Sequence, residues 1–304
     1  MSREFSIEGG VDLHTHCGPS PFDRRVDGYE CAREVAEAGM DGVVLKEHHL
    51  PTAYGVPYVD RLLDRDGLDV EVVGSVVLNY CVGGFNPFVV QAAADYGAKV
   101  VWAPTIDARH HANQTGDLGA FLGVDAGAEY EGKDGVTAFV DDPPADGTPE
   151  DRLTRDVRLC LDKVADEDLV FAVGHLSFEE TRAIVDYLAD RGHGRVVVDH
   201  PNYSVTDLTL DQQRDLADRG AVLNYPYMAI TEAYGWSTPE AVVESIRAVG
   251  VENAVVSSDV GQPENPSVPE SLERYGDALV DAGLAPAEFE ELVVDRPKEI
   301  LDLD

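Results

Sequence analysis

Short apolar runs recur along this chain, each closing on a polar residue and each followed by a stretch whose apolar positions repeat at helical spacing. The first run is Val11-Asp12-Leu13-His14-Thr15-His16. The pattern then predicts strands over 43–46, 72–78, 99–105, 169–175, 195–200, 221–225 and 253–259. Between them, capping and stop signals mark helices. Tyr29 to Ala38 is stopped by Gly39, Asn86-Pro87 reads as an N-cap followed by proline, and Ser177-Phe178-Glu179-Glu180 reads as a capping box. Further helices are expected over 152–164, 210–218, from Thr238-Pro239 onward, over 271–282 and over 286–301. Eight strands alternating with helices over 304 residues fit an α/β chain folded as a (β/α)8 TIM barrel, in one domain spanning 1–304. A doubly wound open sheet is the alternative, but it needs no eighth strand and the chain has no glycine-rich phosphate loop. Residues 107–151 break the rhythm with Gly, Asp and Pro and read as a long insertion, or lid, after strand four.

The barrel directs attention to the C-terminal ends of its strands, where the chemistry of this fold gathers. His16, Lys46, His48, Asn79, Thr105, His175, His200 and Asp259 fall there. His14 and His16, two apart in a strand, would project to one side and make half of a divalent-metal site, with two satisfied polar residues at a strand end as the alternative. Arg24 and Arg25 follow strand one and Arg109, His110 and His111 follow strand four, so an anionic substrate group is one reading of them and a solvated surface the other. Trp102, Tyr225, Tyr227 and Trp236 are candidates for the mouth, with Trp102 alternatively packing inside the wall. Cys17, Cys31, Cys81 and Cys160 form no Cys-x-x-Cys pair and read as free thiols, Cys17 as a small buried side chain.

Charge narrows the partners. The chain carries 58 acidic and 23 basic residues, a formal net charge of -35, with the acids dispersed and lysine confined to Lys46, Lys99, Lys133, Lys163 and Lys298. Such a surface fits a high-salt cytosol, where screening removes self-repulsion, and points to a halophilic archaeal source. It argues against nucleic acid as partner, since phosphate would meet like charge. No run of roughly eighteen apolar residues and no basic-then-apolar leader is seen, so a cytoplasmic protein without membrane contact is expected. Its partner is then a small-molecule substrate, with self-association left open.

Together the strand-end residues resemble the amidohydrolase superfamily of metal-dependent barrels. The matching segments are Val11-Asp12-Leu13-His14-Thr15-His16, Val173-Gly174-His175, Val198-Asp199-His200 and Ser257-Ser258-Asp259. Asp295-Arg296-Pro297-Lys298-Glu299-Ile300-Leu301 is similar to the ending common in that superfamily. The resemblance implies one or two divalent ions, zinc first and manganese, iron or nickel next. His14 and His16 would hold one ion, His175 and His200 a second ion or the substrate. Asp259 would hold metal and take a proton from water; a helix N-cap is its alternative role.

One departure stands out. Strand four ends Ala103-Pro104-Thr105-Ile106-Asp107, without the lysine or glutamate that bridges two metals in many relatives. Lys46, on strand two and sharing a face with His48, is then a carboxylated bridge, an anchor for a substrate carboxylate or a plain cation, with Lys46 and His48 in the catalytic set. The expected activity is cleavage of an amide, lactone or phosphoester bond by metal-activated water. A decarboxylase or lyase on the same barrel, and a barrel that only binds metal or ligand, are the alternatives.

Overall fold

A computed structural model describes residues 3–121, 124–125, 130, 132–141 and 148–303. Its strands are β1 (Val11–His16), β2 (Gly42–Lys46), β3 (Glu71–Val73), β4 (Ser75–Val77), β5 (Val100–Trp102), β6 (Ala120–Phe121), β7 (Val124–Asp125), β8 (Val170–Val173), β9 (Val196–Asp199), β10 (Val222–Pro226) and β11 (Ala254–Ser257). All but β6 and β7, a small antiparallel pair, belong to the barrel wall and run parallel, in the order β1-β2-β3 and β4-β5-β8-β9-β10-β11. β3 and β4 are two halves of the third expected strand. Helices connect the wall strands, as the fold requires.

The ring closes between its first and last strands. Past the end of β11, Asp259 N–H donates to the His14 carbonyl and His16 N–H to the Val260 carbonyl, both at 2.8 Å. The buried Asp12 carboxylate adds a clamp, accepting from Ser258 N at 2.9 Å and Ser258 Oγ at 2.5 Å. Burial pushes the Asp12 carboxyl up to about 7.

Two apolar layers flank the wall. Val11, Leu13, Val44, Val73, Val100 and Trp102 pack inside it together with Ile300 and Leu301 from the C-terminal helix, and a larger layer lies between strands and outer helices. β1 carries an irregularity that matters for the site: Asp12 pairs with Val43 but Thr15 with Leu45, three residues against two. Such an extra residue re-aims the side chains after it. Leu13 packs in the inner layer below, and His14 and His16 both turn into the cavity above.

The third strand breaks at Gly74 because the chain after β2 presses on it. A Cβ there would lie 2.4 Å from Ala53 Cα. The gap is stitched by side chains: Ser75 N donates to Thr52 Oγ1, and Thr52 Oγ1 and Ser75 Oγ both donate to the Leu45 carbonyl. Other differences from the sequence pattern are local. A helix at Val56–Asp66, with proline in its first turn, stands where the sequence pattern predicts none, and the expected C-terminal helix is interrupted by a π turn at Glu291–Asp295. The capping boxes at Asp27 and Ser177 form. Within the insertion, residues 122–123, 126–129, 131 and 142–147 lie outside the described residues, and its described part includes a helix at Arg109–Thr115. Among the described residues no helix is long and apolar enough to cross a membrane.

Replacing Gly74 with alanine forces the backbone at Ala53 to move, and overpacking of this kind costs about 1–3 kcal/mol. Gly74→Ala is therefore expected to lower the denaturant midpoint without changing the slope of the transition; an unchanged midpoint would show that the two segments are not in tight contact.

Candidate metal centre

A cavity of about 470 Å³ opens at the C-terminal ends of the strands, with His14, His16, Lys46, His48, His175, His200 and Asp259 in its lining. Each sits there for a local reason. The extra residue in β1 presents both His14 and His16. His200 and Asp259 follow β9 and β11 with φ of 37° and 53°, the left-handed region that non-glycine residues enter at a cost. Room for the His200 ring comes from Gly174, where a Cβ would stand 2.5 Å from His200 Cε1. Asp259 caps no helix, since the next one starts at Val268 and is capped by Ser267.

His14, His16 and Asp259 converge, all buried, with ligand atoms within 4.8 Å of one another. Asp259 Oδ1 lies 3.0 Å from His14 Nε2 and 3.2 Å from His16 Nε2, and the two nitrogens are 3.3 Å apart. Three donors bound tetrahedrally at about 2.0–2.1 Å would be separated by roughly 3.3 Å, so the spacing suits a zinc-sized ion. The orientation of His14 agrees. Lys46 Nζ stands 3.0 Å from His14 Nε2, and an ammonium can only donate, so Nε2 offers a lone pair. On the far side, His14 Nδ1 is 2.8 Å from Asp199 Oδ2, yet out of line for a hydrogen bond, and neither atom has a hydrogen-bond partner among the described residues. A carboxylate behind a ligating imidazole is the usual outer support of a metal site.

His175 and His200 line the same cavity outside this trio. Their rings are 4.8 Å apart, and His200 lies 6.2 Å from His14. His175 is oriented from the insertion. His111 Nε2 is 3.0 Å from the Ala120 carbonyl, an acceptor only, so that nitrogen carries the proton; His111 Nδ1, 2.8 Å from His175 Nδ1, then accepts. His175 Nδ1 is the donor and its Nε2 is left with a lone pair.

Three participants have roles that the sequence pattern does not give, His111 entering it only as one of the candidates after strand four. Asp199 precedes His200 directly and receives Asn224 Nδ2 at 2.6 Å. Tyr203, stacked on His200 at 4.4 Å, donates to Asp259 Oδ2 at 2.6 Å. His111 shows its part only through the fold of the insertion. Lys46 is buried over the Trp102 ring, 4.2 Å from its centre, and desolvation lowers its pKa although Asp199 and Asp259 oppose this.

The arginines separate. Arg24 lines the cavity, whereas Arg25 forms a two-point ion pair with Glu34, and Arg109 reaches the Asp134 carbonyl and Asp141. Neither Arg25 nor Arg109 is among the residues described as lining the cavity, because nearer acceptors hold them. Tyr225 is not at the mouth either: it is buried, donating to Gln213. Tyr227 packs against Tyr275, while Trp236 packs at a tilt against Tyr203. Trp102 packs inside the wall. The four cysteines are free thiols, and burial pushes Cys17 up to about 12.

Desolvation dominates the histidines. It lowers His14 to about 3 and His200 to about 4, and it also lowers His16, His48, His111 and His175. Neutral rings are the form that binds metal. As pH falls from about 6.5, the unfolded chain takes up protons on these rings and the native protein does not, so stability rises with pH across this window. Asp12 and Asp199, raised by burial, act in the opposite sense but are outnumbered. Metal-free protein in molar KCl is thus expected to show a falling urea midpoint between pH 6.5 and 5. The His14→Asn, His200→Asn variant should respond less steeply; an equal slope would place the titration elsewhere.

The fold is shared with solved enzymes. An amidohydrolase from Pseudomonas aeruginosa superposes with a TM-score of 0.60 at 8% identity, over 96% of this chain and 95% of that one. A Xaa-Pro dipeptidase with bound methionine in its active site gives 0.60 at 13% identity, over 97% of this chain and 75% of that one. A dihydroorotase gives 0.56 at 13% identity, over 98% and 70%. At such identities the likeness is one of fold. No curated protein matches the sequence. Residues 9–224, from just before β1 into β10, match a family of unknown function, and the chain accordingly belongs to that family, DUF6282.

Proposed function

We propose that this protein is a metal-dependent hydrolase of the amidohydrolase type, acting on a small substrate with an anionic group. The observation that carries the reading is the buried convergence of His14 Nε2, His16 Nε2 and Asp259 Oδ1 at the floor of an open cavity. These three residues would hold a divalent ion, zinc first by donor chemistry, which would supply an acidified water and a Lewis acid for the bond to be cleaved. His175 and His200 complete the cavity as donors to a second ion or to substrate.

The chain's own groups divide the remaining work. Asp259 Oδ1 faces the histidines while its Oδ2 is held by the Tyr203 hydroxyl, which fixes the carboxylate for accepting a proton. Arg24, half-buried and with no carboxylate within ion-pair distance among the described residues, is suited to bind the anionic group. Lys46, beside His14 Nε2, is placed to contribute as ammonium or, after carboxylation, as an oxygen donor. The fold shared with an amidohydrolase, a dipeptidase and a dihydroorotase supports the reaction class. The acidic, lysine-poor composition supports a high-salt cytosol as its setting.

Elemental analysis of protein purified in molar salt without chelator is expected to find one or two equivalents of zinc, manganese, iron or nickel, lost in a His14→Ala, His16→Ala variant. No metal, even after reloading, would overturn the proposal. In assays against lactones, N-acyl amides and phosphoesters, Asp259→Asn should retain most metal yet lower turnover by about two to four orders of magnitude. Undiminished turnover would remove Asp259 from proton transfer.

A further inference from the structure

The cavity holds one ring whose hydrogen-bonding state is dictated by a chain of neighbours outside the metal trio. We infer that His48 is held as its Nε2–H tautomer, so that it offers a donor to a substrate oxyanion and is not a metal ligand.

The argument starts at a group that can only donate. Thr105 N–H donates to Asn79 Oδ1 at 2.8 Å, which fixes which end of the Asn79 amide is oxygen. Asn79 Nδ2 therefore donates, to the His48 carbonyl at 3.0 Å and to Thr105 Oγ1 at 2.8 Å. The Thr105 hydroxyl proton then has a single acceptor among its hydrogen-bond partners in the described residues, His48 Nδ1 at 2.9 Å, and the opposite direction would leave that buried proton unpaired. A neutral imidazole that accepts at Nδ1 carries its proton on Nε2. Burial keeps the ring neutral. The remaining nitrogen has no protein partner among the described residues and is not sealed from the cavity that His48 lines.

His48 is thus the complement of His175, which presents a lone pair to the same space. A bound cation needs a lone pair, and the Thr105–Asn79 pair removes it from His48. What an N–H in this place recognises is an oxygen without a proton. Arg24 makes that oxygen anionic: its guanidinium lies 5.6 Å from the Phe22 ring centre, and that ring is 5.8 Å from His48. Two donors on one wall suit a carboxylate or phosphoryl group. Thr105 and Asn79 are positioning residues that act through His48. The end of β5, where the family resemblance would look for a bridging ligand, supplies this hydroxyl instead. The oxyanion role deepens the hydrolase reading and rests on it, whereas the tautomer stands without it.

The test is ring-nitrogen NMR on the full-length, zinc-reloaded protein with labelled histidines, in molar KCl near neutral pH. The His48 signals are assigned by their loss in His48→Gln. A protonated Nε2 and an unprotonated Nδ1 are expected; the reverse, or averaging between the two, overturns the assignment. Thr105→Ser should preserve the pattern and Thr105→Val should shift or average it, and an unchanged pattern in Thr105→Val would overturn the positioning role. His48→Gln should keep its zinc; a loss as large as in the His14→Ala, His16→Ala variant would make His48 a ligand and end the proposal. Finally, acetate and inorganic phosphate are titrated at fixed ionic strength. One or both should move the Nε2–H signal, which identifies the favoured oxyanion, and a signal moved by neither overturns the recognition role. Protein that binds no zinc but retains the Nε2–H pattern would fail the hydrolase reading alone.

Discussion

The site depends on the seam where the last strand of the wall meets the first. Hydrogen bonds from Asp259 N to the His14 carbonyl and from His16 N to the Val260 carbonyl carry the barrel's closure, and they lie on the residues whose donors converge in the candidate metal centre. Fold and chemistry thus share their connections. The Asp12 carboxylate, clamped onto Ser258, ties the same two strands one layer below. A barrel closed elsewhere would still present His14 and His16 together from β1 but would leave Asp259 free of them. The closure supplies the third donor.

The strand ends were legible in the sequence because parallel strands buried on both faces are nearly continuous apolar runs, and the polar residue ending each run marks the mouth of the barrel. His14, His16, His175, His200 and Asp259 could be found this way. The irregularity in β1 could not: an extra residue in one strand is defined by its partner's register, which no single segment records. The pairing of His111 with His175 and of Thr105 with His48 was hidden for the same reason. Each joins residues 57 or 64 positions apart, and each depends on which way a ring or hydroxyl turns. The arginines are a different case. Charge and loop position allow Arg24, Arg25 and Arg109 either a substrate-facing or a solvated role, and only the fold reveals which of them already has an acceptor beside it.

The protein combines two electrostatic regimes. Outside, dispersed carboxylates give the net charge of -35, and many arginines lie in ion pairs such as Arg247–Glu288 and Arg219–Asp186. Pairs of this kind, open to solvent on at least one side, contribute little individually to stability. Inside, Lys46 and Arg24 stand near neutral imidazoles in a desolvated cavity, where a charge acts over a longer distance than in water. The acidic exterior favours approach of cations, and the buried cations favour anions once they arrive. Salt that screens the first barely reaches the second.

The left-handed backbone at His200 and Asp259 also limits how such a site can change over evolution. At φ of 37° and 53°, only glycine, asparagine, aspartate and, less readily, histidine sit without a substantial penalty, and a β-branched or long side chain would add about 1–2 kcal/mol of strain. The ligand alphabet at these two corners is therefore set by the main chain before any metal is considered. Glutamate and cysteine, common alternatives in other metal sites, are disfavoured here by geometry and not by chemistry. A lineage exploring new metals on this barrel would find its freedom on β1 and β2, where the backbone is extended and accepts any side chain.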